Sequence, residues 1–88
     1  MNKPYKDIKL NQNKFIREFN RNIPSTELKW HQDLKDRKIT ILEGKNWKFQ
    51  FENQIPIELK TGDKLNIPSL TWHRIIKGET NLKIQIEE

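Results

Sequence analysis

Residues 47–52 read Trp47-Lys48-Phe49-Gln50-Phe51-Glu52, apolar and polar side chains in strict alternation. A β-strand points successive side chains to opposite faces, so this hexapeptide has one aromatic face and one solvated face. The same period recurs on both sides of it. Upstream, Ile39-Thr40-Ile41 lies within a run from Arg37 to Glu43, and an earlier candidate strand spans Leu28 to Asp33. Downstream, Ile55, Ile57 and Leu59 alternate, with Pro56 marking an edge or a strand start. Leu65 and Ile67 follow, then His73 to Ile76, then Leu82, Ile84 and Ile86. Turn-forming clusters separate these runs: Glu43-Gly44-Lys45-Asn46, Glu52-Asn53-Gln54, Thr61-Gly62-Asp63 and Lys77-Gly78-Glu79. Many short strands with frequent turns predict an all-β sandwich or barrel.

The N-terminal quarter is less regular. Residues 1–13 show no clear periodicity and read as an extended arm. In Asn13 to Phe19, Phe15 and Phe19 fit a helical spacing, whereas Phe15, Arg17 and Phe19 fit a strand. The expected division is an arm over 1–22 and a single β domain over 23–88. A chain of 88 residues builds one small core. Ile and Leu supply most of it, since Ala and Val are absent.

The formal net charge is +5, and residues 1–21 hold six basic against two acidic side chains. The positive charge thus belongs to the expected arm. The near-neutral body disfavours a nucleic-acid partner, which calls for a basic stripe on the folded surface. Cysteine is absent, which excludes disulfides and thiolate chemistry. No apolar run approaches the roughly 18 residues of a membrane helix. The polar start, Met1-Asn2-Lys3-Pro4-Tyr5, favours a cytoplasmic protein.

The chain has two histidines, both on candidate strands. His31 and Asp33 are two positions apart and so share a strand face. If the sheets close, His73 can join them. Two imidazoles and a carboxylate form a facial triad suited to Fe(II) or Mn(II), with positions left open for substrate.

Residues 31–44 read His31-x-Asp33-x3-Arg37-x6-Gly44, and residues 62–73 read Gly62-x5-Pro68-x-Leu70-x2-His73. These segments resemble the two motifs of the cupin superfamily. The first usually reads His-x-His, three or four residues, Glu, six residues, Gly. The second usually reads Gly, five residues, Pro-x-Gly, two residues, His, three residues, Asn. The resemblance covers roughly residues 28–86 and implies an antiparallel β-barrel of jelly-roll type, the double-stranded β-helix. It implies a metal site as well, for Fe, Mn, Ni or Zn, with His31, Asp33 and His73 as ligands. Asp33 stands in place of the family's second His, Arg37 in place of its Glu, Leu70 in place of a Gly and Lys77 in place of the terminal Asn. Arginine does not ligate a cation. Arg37 therefore either clamps an anionic substrate beside the metal or pairs with Asp33 in a metal-free barrel.

Strand parity predicts the surroundings. Arg37, Ile39 and Ile41 share the inner face, Ile75 follows His73, and Trp47, Phe49 and Phe51 face inward. Gln50 belongs to the pocket only if a bulge reverses its phase. The expected substrate-binding set is Arg37, Ile41, Phe49, Gln50 and Ile75, in a pocket for a small organic acid. Trp30 and Trp72 each precede a histidine and point outward, which suggests either a covering second subunit, as in a homodimer, or packing under the arm. The function expected is that of a small single-domain, metal-binding cupin with a pocket for a small anionic ligand or substrate; if it is an enzyme, it is a metal-dependent oxygenase, lyase or isomerase acting on a small organic acid. The alternatives are a metal-free cupin that binds a ligand or serves as an assembly module, and a nucleic-acid-binding small barrel.

Overall fold

The structure, a computed structural model, describes residues 5–88. Among these residues there are eight strands and one turn of 3-10 helix, Ser25–Glu27. The strands are β1 (Lys6–Lys9), β2 (Lys14–Phe19), β3 (Arg37–Glu43), β4 (Lys48–Phe51), β5 (Ile57–Glu58), β6 (Lys64–Ile67), β7 (His73–Ile76) and β8 (Leu82–Glu87). They form a five-stranded sheet in the order β1-β2-β8-β3-β6 and a three-stranded sheet in the order β5-β4-β7, with every pairing antiparallel.

Register explains how the larger sheet acquires an apolar inner face. Phe15 opposes Ile86, Ile86 opposes Ile39, and Ile39 opposes Leu65. The next inner row joins Arg17, Ile84 and Ile41. Leu82, Ile84 and Ile86 are buried, as the alternation along β8 requires. The smaller sheet contributes Phe49 opposite this layer, and Trp47 just before β4 is fully buried. The Trp47 indole donates to the carbonyl of Thr80 at 2.7 Å, which satisfies its only polar atom inside the core.

Two features differ from the sequence-based expectation. The described part of the segment read as an arm is built into the barrel: β2 pairs with β8 along its whole length, and β1 pairs with β2. Period two settles the ambiguity at Phe15, Arg17 and Phe19, and Phe19 joins the core because β8 offers it a hydrogen-bonding edge. The candidate strand Leu28 to Asp33 shrinks to a single bridge, His31 with His73; a 3-10 turn precedes it, and beyond the bridge the Asp33 carbonyl and the Gln32 side chain bond to Leu70 instead of extending a ladder.

Candidate metal and anion site

His31 and His73 are direct cross-strand partners. Each donates its backbone N–H to the other's carbonyl at 3.0 Å. Such a pair puts both side chains on one face, and the imidazole centroids lie 4.3 Å apart. Asp33, two residues beyond His31, returns to the same face. One donor atom from each of His31, Asp33 and His73 lies within 4.8 Å of the others. His73 is buried, with Phe49 stacked on it at 5.5 Å, whereas His31 is half open to solvent.

Backbone contacts decide the tautomers. The His73 Nδ1 lies 2.8 Å from the carbonyl of Thr71, and the His31 Nδ1 lies 3.0 Å from that of Lys29. A carbonyl only accepts, so each Nδ1 carries the proton and each Nε2 presents a lone pair in the neutral ring. The His73 Nε2 faces Asp33 Oδ2 at 3.2 Å and the His31 Nε2 faces Asp33 Oδ1 at 3.9 Å. The first distance is that of an ion pair, yet Oδ2 is buried without a hydrogen-bond donor. Protonating His73 would supply one, but burial holds this imidazole below its ordinary pKa of 6.5, and the positive charge of a protonated His31 or of Arg37 pushes it the same way. The Thr71 carbonyl and the Asp33 carboxylate only oppose that shift. Three acceptor atoms thus converge with nothing between them to donate. A divalent cation suits that donor set, and the Nδ1–H bonds to carbonyls are the usual outer support of histidine ligands.

Arg37 reaches the site from the start of β3. Its Nη1 lies 3.4 Å from Asp33 Oδ1, and its Nε donates to Glu88 at 2.8 Å. A cavity of about 330 Å³ opens beside this cluster. Arg37, Ile41, Phe49 and Ile75 line it, together with His31, Asp33 and His73. Gln50 does not. Its Oε1 accepts from Arg74 Nε at 3.0 Å and its Nε2 donates to the Gln54 carbonyl at 2.8 Å, on the outer face of the small sheet, because no bulge reverses the phase of β4. Sequence reasoning missed Arg17 and Tyr5 on the cavity wall and Glu88 behind Arg37. Arg17 was within reach, since the strand reading of Phe15, Arg17 and Phe19 places it inward.

No family model matches the chain, and no curated protein does. Solved structures do. A cupin-2 domain protein from Shewanella frigidimarina NCIMB 400 superposes with a TM-score of 0.67 at 22% identity, covering 96% of this chain and 78% of that one. The chain has the cupin fold. A cupin domain from Bordetella pertussis Tohama I shares it at 17% identity and a TM-score of 0.63, covering 99% of this chain and 96% of the other. The DMSP lyase DddQ from Ruegeria pomeroyi DSS-3 superposes at 0.65 with 19% identity, over 86% of this chain. The chain spans 38% of that lyase and 35% of another structure of DMSP lyases. In this cupin barrel, as the motif resemblance implied, the first motif surrounds His31 and the second leads into His73. No helix among the described residues is long and apolar enough to cross a membrane.

Proposed function

We propose that this cupin barrel holds a divalent metal ion through His31 Nε2, the Asp33 carboxylate and His73 Nε2, and binds a small anionic molecule beside it. The observation that carries this reading is the buried Asp33 Oδ2, which faces the His73 Nε2 lone pair and has no donor. Fe, Mn, Ni and Zn all suit two imidazoles and a carboxylate. When bound, such an ion supplies Lewis-acid polarisation of a ligand oxygen. Arg37 has its Nε held by Glu88 and offers the rest of its planar fork to a carboxylate in the cavity. The apolar wall of Ile41, Phe49 and Ile75 excludes water around the ligand. The cavity volume favours a small organic acid over a polymer. The corresponding activity is metal-dependent lyase, isomerase or oxygenase chemistry on such an acid.

The test is elemental analysis of protein purified without chelator, followed by melting curves with added Mn(II), Fe(II), Ni(II) or Zn(II). The expected result is close to one bound equivalent and a raised melting temperature, since a ligand of the folded state stabilises it by mass action. Less than about a tenth of an equivalent, with melting unchanged by every ion, overturns the metal reading. A second reading is favoured by one distance, the 3.4 Å between Arg37 Nη1 and Asp33 Oδ1. In it the guanidinium offsets the carboxylate, and the barrel binds its anion without metal.

A homodimer through the outer face of the small sheet completes the proposal. Trp30 and Trp72 remain 39% and 43% exposed there, since β1 and β2 pack in the other sheet and leave them uncovered. Sedimentation equilibrium of the protein and of Trp72→Lys checks this, with a dimer expected only for the unaltered chain.

A further inference from the structure

Arg17 lies outside the cluster of His31, Asp33, His73 and Arg37, yet it lines the same cavity. It sits on β2 with its side chain only 12% exposed. Its Nε and Nη2 donate to the two carboxylate oxygens of Asp7, at 2.8 and 3.0 Å. Its guanidinium carbon lies 3.5 Å from the centre of the Tyr5 ring. Arg37 is arranged in the same way. Its Nε is held by a carboxylate, Glu88, and its side chain is 15% exposed. Both guanidinium carbons lie within 6.0 Å of the centre of the Phe15 ring. Each arginine is thus oriented by an acid at one edge and by an aromatic face; Arg17 Nη1 is left free of Asp7, whereas Arg37 Nη1 turns from Glu88 toward Asp33 Oδ1 at 3.4 Å.

Their positions in the sheet keep them apart. Arg17 occupies the inner row of Ile84 and Ile41, and Arg37 lies four residues before Ile41 on β3, two strands away from β2. Between their Cα atoms that offset is about 10 Å across the strands and about 13 Å along them, and the side chains reach toward each other, since both guanidinium carbons lie within 6.0 Å of the Phe15 ring centre. The row of Phe15, Ile86 and Ile39 lies between. Two forks rooted at these separate strand positions suit a ligand with an anionic group at each end.

We propose that Arg17 is a second anion-recognition group, and that the cavity takes a small dicarboxylate with one end beside Arg37 and the other at Arg17. Anchoring β1 through Asp7 accounts for one edge of the Arg17 guanidinium but not for its place on the cavity wall. A ligand of about four or five carbons suits the cavity size. The inference rests on the anion-binding role of Arg37 and is independent of the metal.

The test is calorimetric titration of the full chain, with and without Mn(II), using succinate, glutarate, butyrate and inorganic phosphate. Succinate or glutarate should bind at least about ten-fold more tightly than butyrate, because a second charge-assisted fork is engaged. Phosphate should bind no more tightly than butyrate. Arg17→Gln should erase the dicarboxylate preference and leave butyrate binding in place, whereas Arg37→Gln should weaken every carboxylate. The double variant Asp7→Asn with Arg17→Gln keeps a neutral side-chain pair between β1 and β2, and it should lose the preference with its melting temperature nearly maintained. Equal binding of succinate and butyrate, a preference that survives both Arg17 variants, phosphate binding above succinate, or no binding of any probe overturns the proposal. Loss of metal uptake with the dicarboxylate preference intact sinks the metal reading and sustains this one.

Discussion

The amide of Leu70 donates to the carbonyl of Asp33 at 2.8 Å, tying the turn ahead of His73 to the segment that carries the carboxylate. The Leu70 carbonyl in turn accepts from Gln32 Nε2 at 2.7 Å. To make this clasp Leu70 adopts φ of 60° at the position where the cupin motif places glycine. A leucine there carries left-handed strain that glycine lacks.

Leu70→Gly should therefore be neutral or stabilising by about 0.5 kcal/mol, as relief of strain slightly exceeds the extra freedom of the unfolded chain. Gly78→Ala should do the opposite, because a Cβ there would overlap the backbone of Lys45, Asn46 and Trp47. A loss of about 2 kcal/mol or more is expected for that overpacking. Urea melts of both variants check the pair.

His73→Ala and Asp33→Asn should each lower metal uptake at least about ten-fold, since even the groups that merely support metal ligands are worth that much. His31→Ala should act in the same direction. Elemental analysis after dialysis against a fixed metal concentration provides the check, and full loading of His73→Ala would place any ion elsewhere.

The metal-free protein should lose stability on acidification. The folded state holds His73 neutral below its ordinary pKa, mainly through burial. Between that lowered value and about 6.5 the unfolded chain binds a proton that the folded chain does not, so acid favours unfolding. The stabilisation is complete above about pH 6.5 and disappears as the pH falls through the folded value. Melting temperatures recorded from pH 5 to pH 8 in chelator should rise across this window, and His73→Gln should flatten the rise.

Arg37→Glu should restore the acidic ligand of the cupin motif while abolishing the anion fork. In the metal-free state it brings a third carboxylate beside Asp33 and Glu88. A loss of about 1–3 kcal/mol is expected from that unpaired acidic group. Added Zn(II) or Mn(II) should raise its melting temperature by more than it raises that of the unaltered chain, and carboxylate binding should fall.

Much of the barrel was legible in one dimension. The alternation in Arg37–Glu43, Lys48–Phe51, His73–Ile76 and Leu82–Glu87 marks strands because a half-buried strand needs period two wherever one face is wet. The motif spacing around His31 and His73 placed both cupin segments. Gln50 was the uncertain member of the pocket set, and the unbroken β4–β7 register puts it outside. The strand reading of Phe15, Arg17 and Phe19 already gave Arg17 an inward face, but its place on the cavity wall, and that of Tyr5, depends on β2 finding the free edge of β8, a long-range pairing that local pattern does not encode.

Alternation along the chain was enough to tell which residues face inward, and the residue types supplied the two imidazoles and the carboxylate of a candidate metal centre. It took the folded chain to show His31 and His73 opposed across one bridge, their Nδ1 atoms facing carbonyls so that their Nε2 lone pairs turn toward Asp33, and Arg17 and Arg37 lining one cavity. The physical reason is that strand parity assigns a face from local chemistry alone, whereas the distance between two side chains depends on which edges pair and in what register.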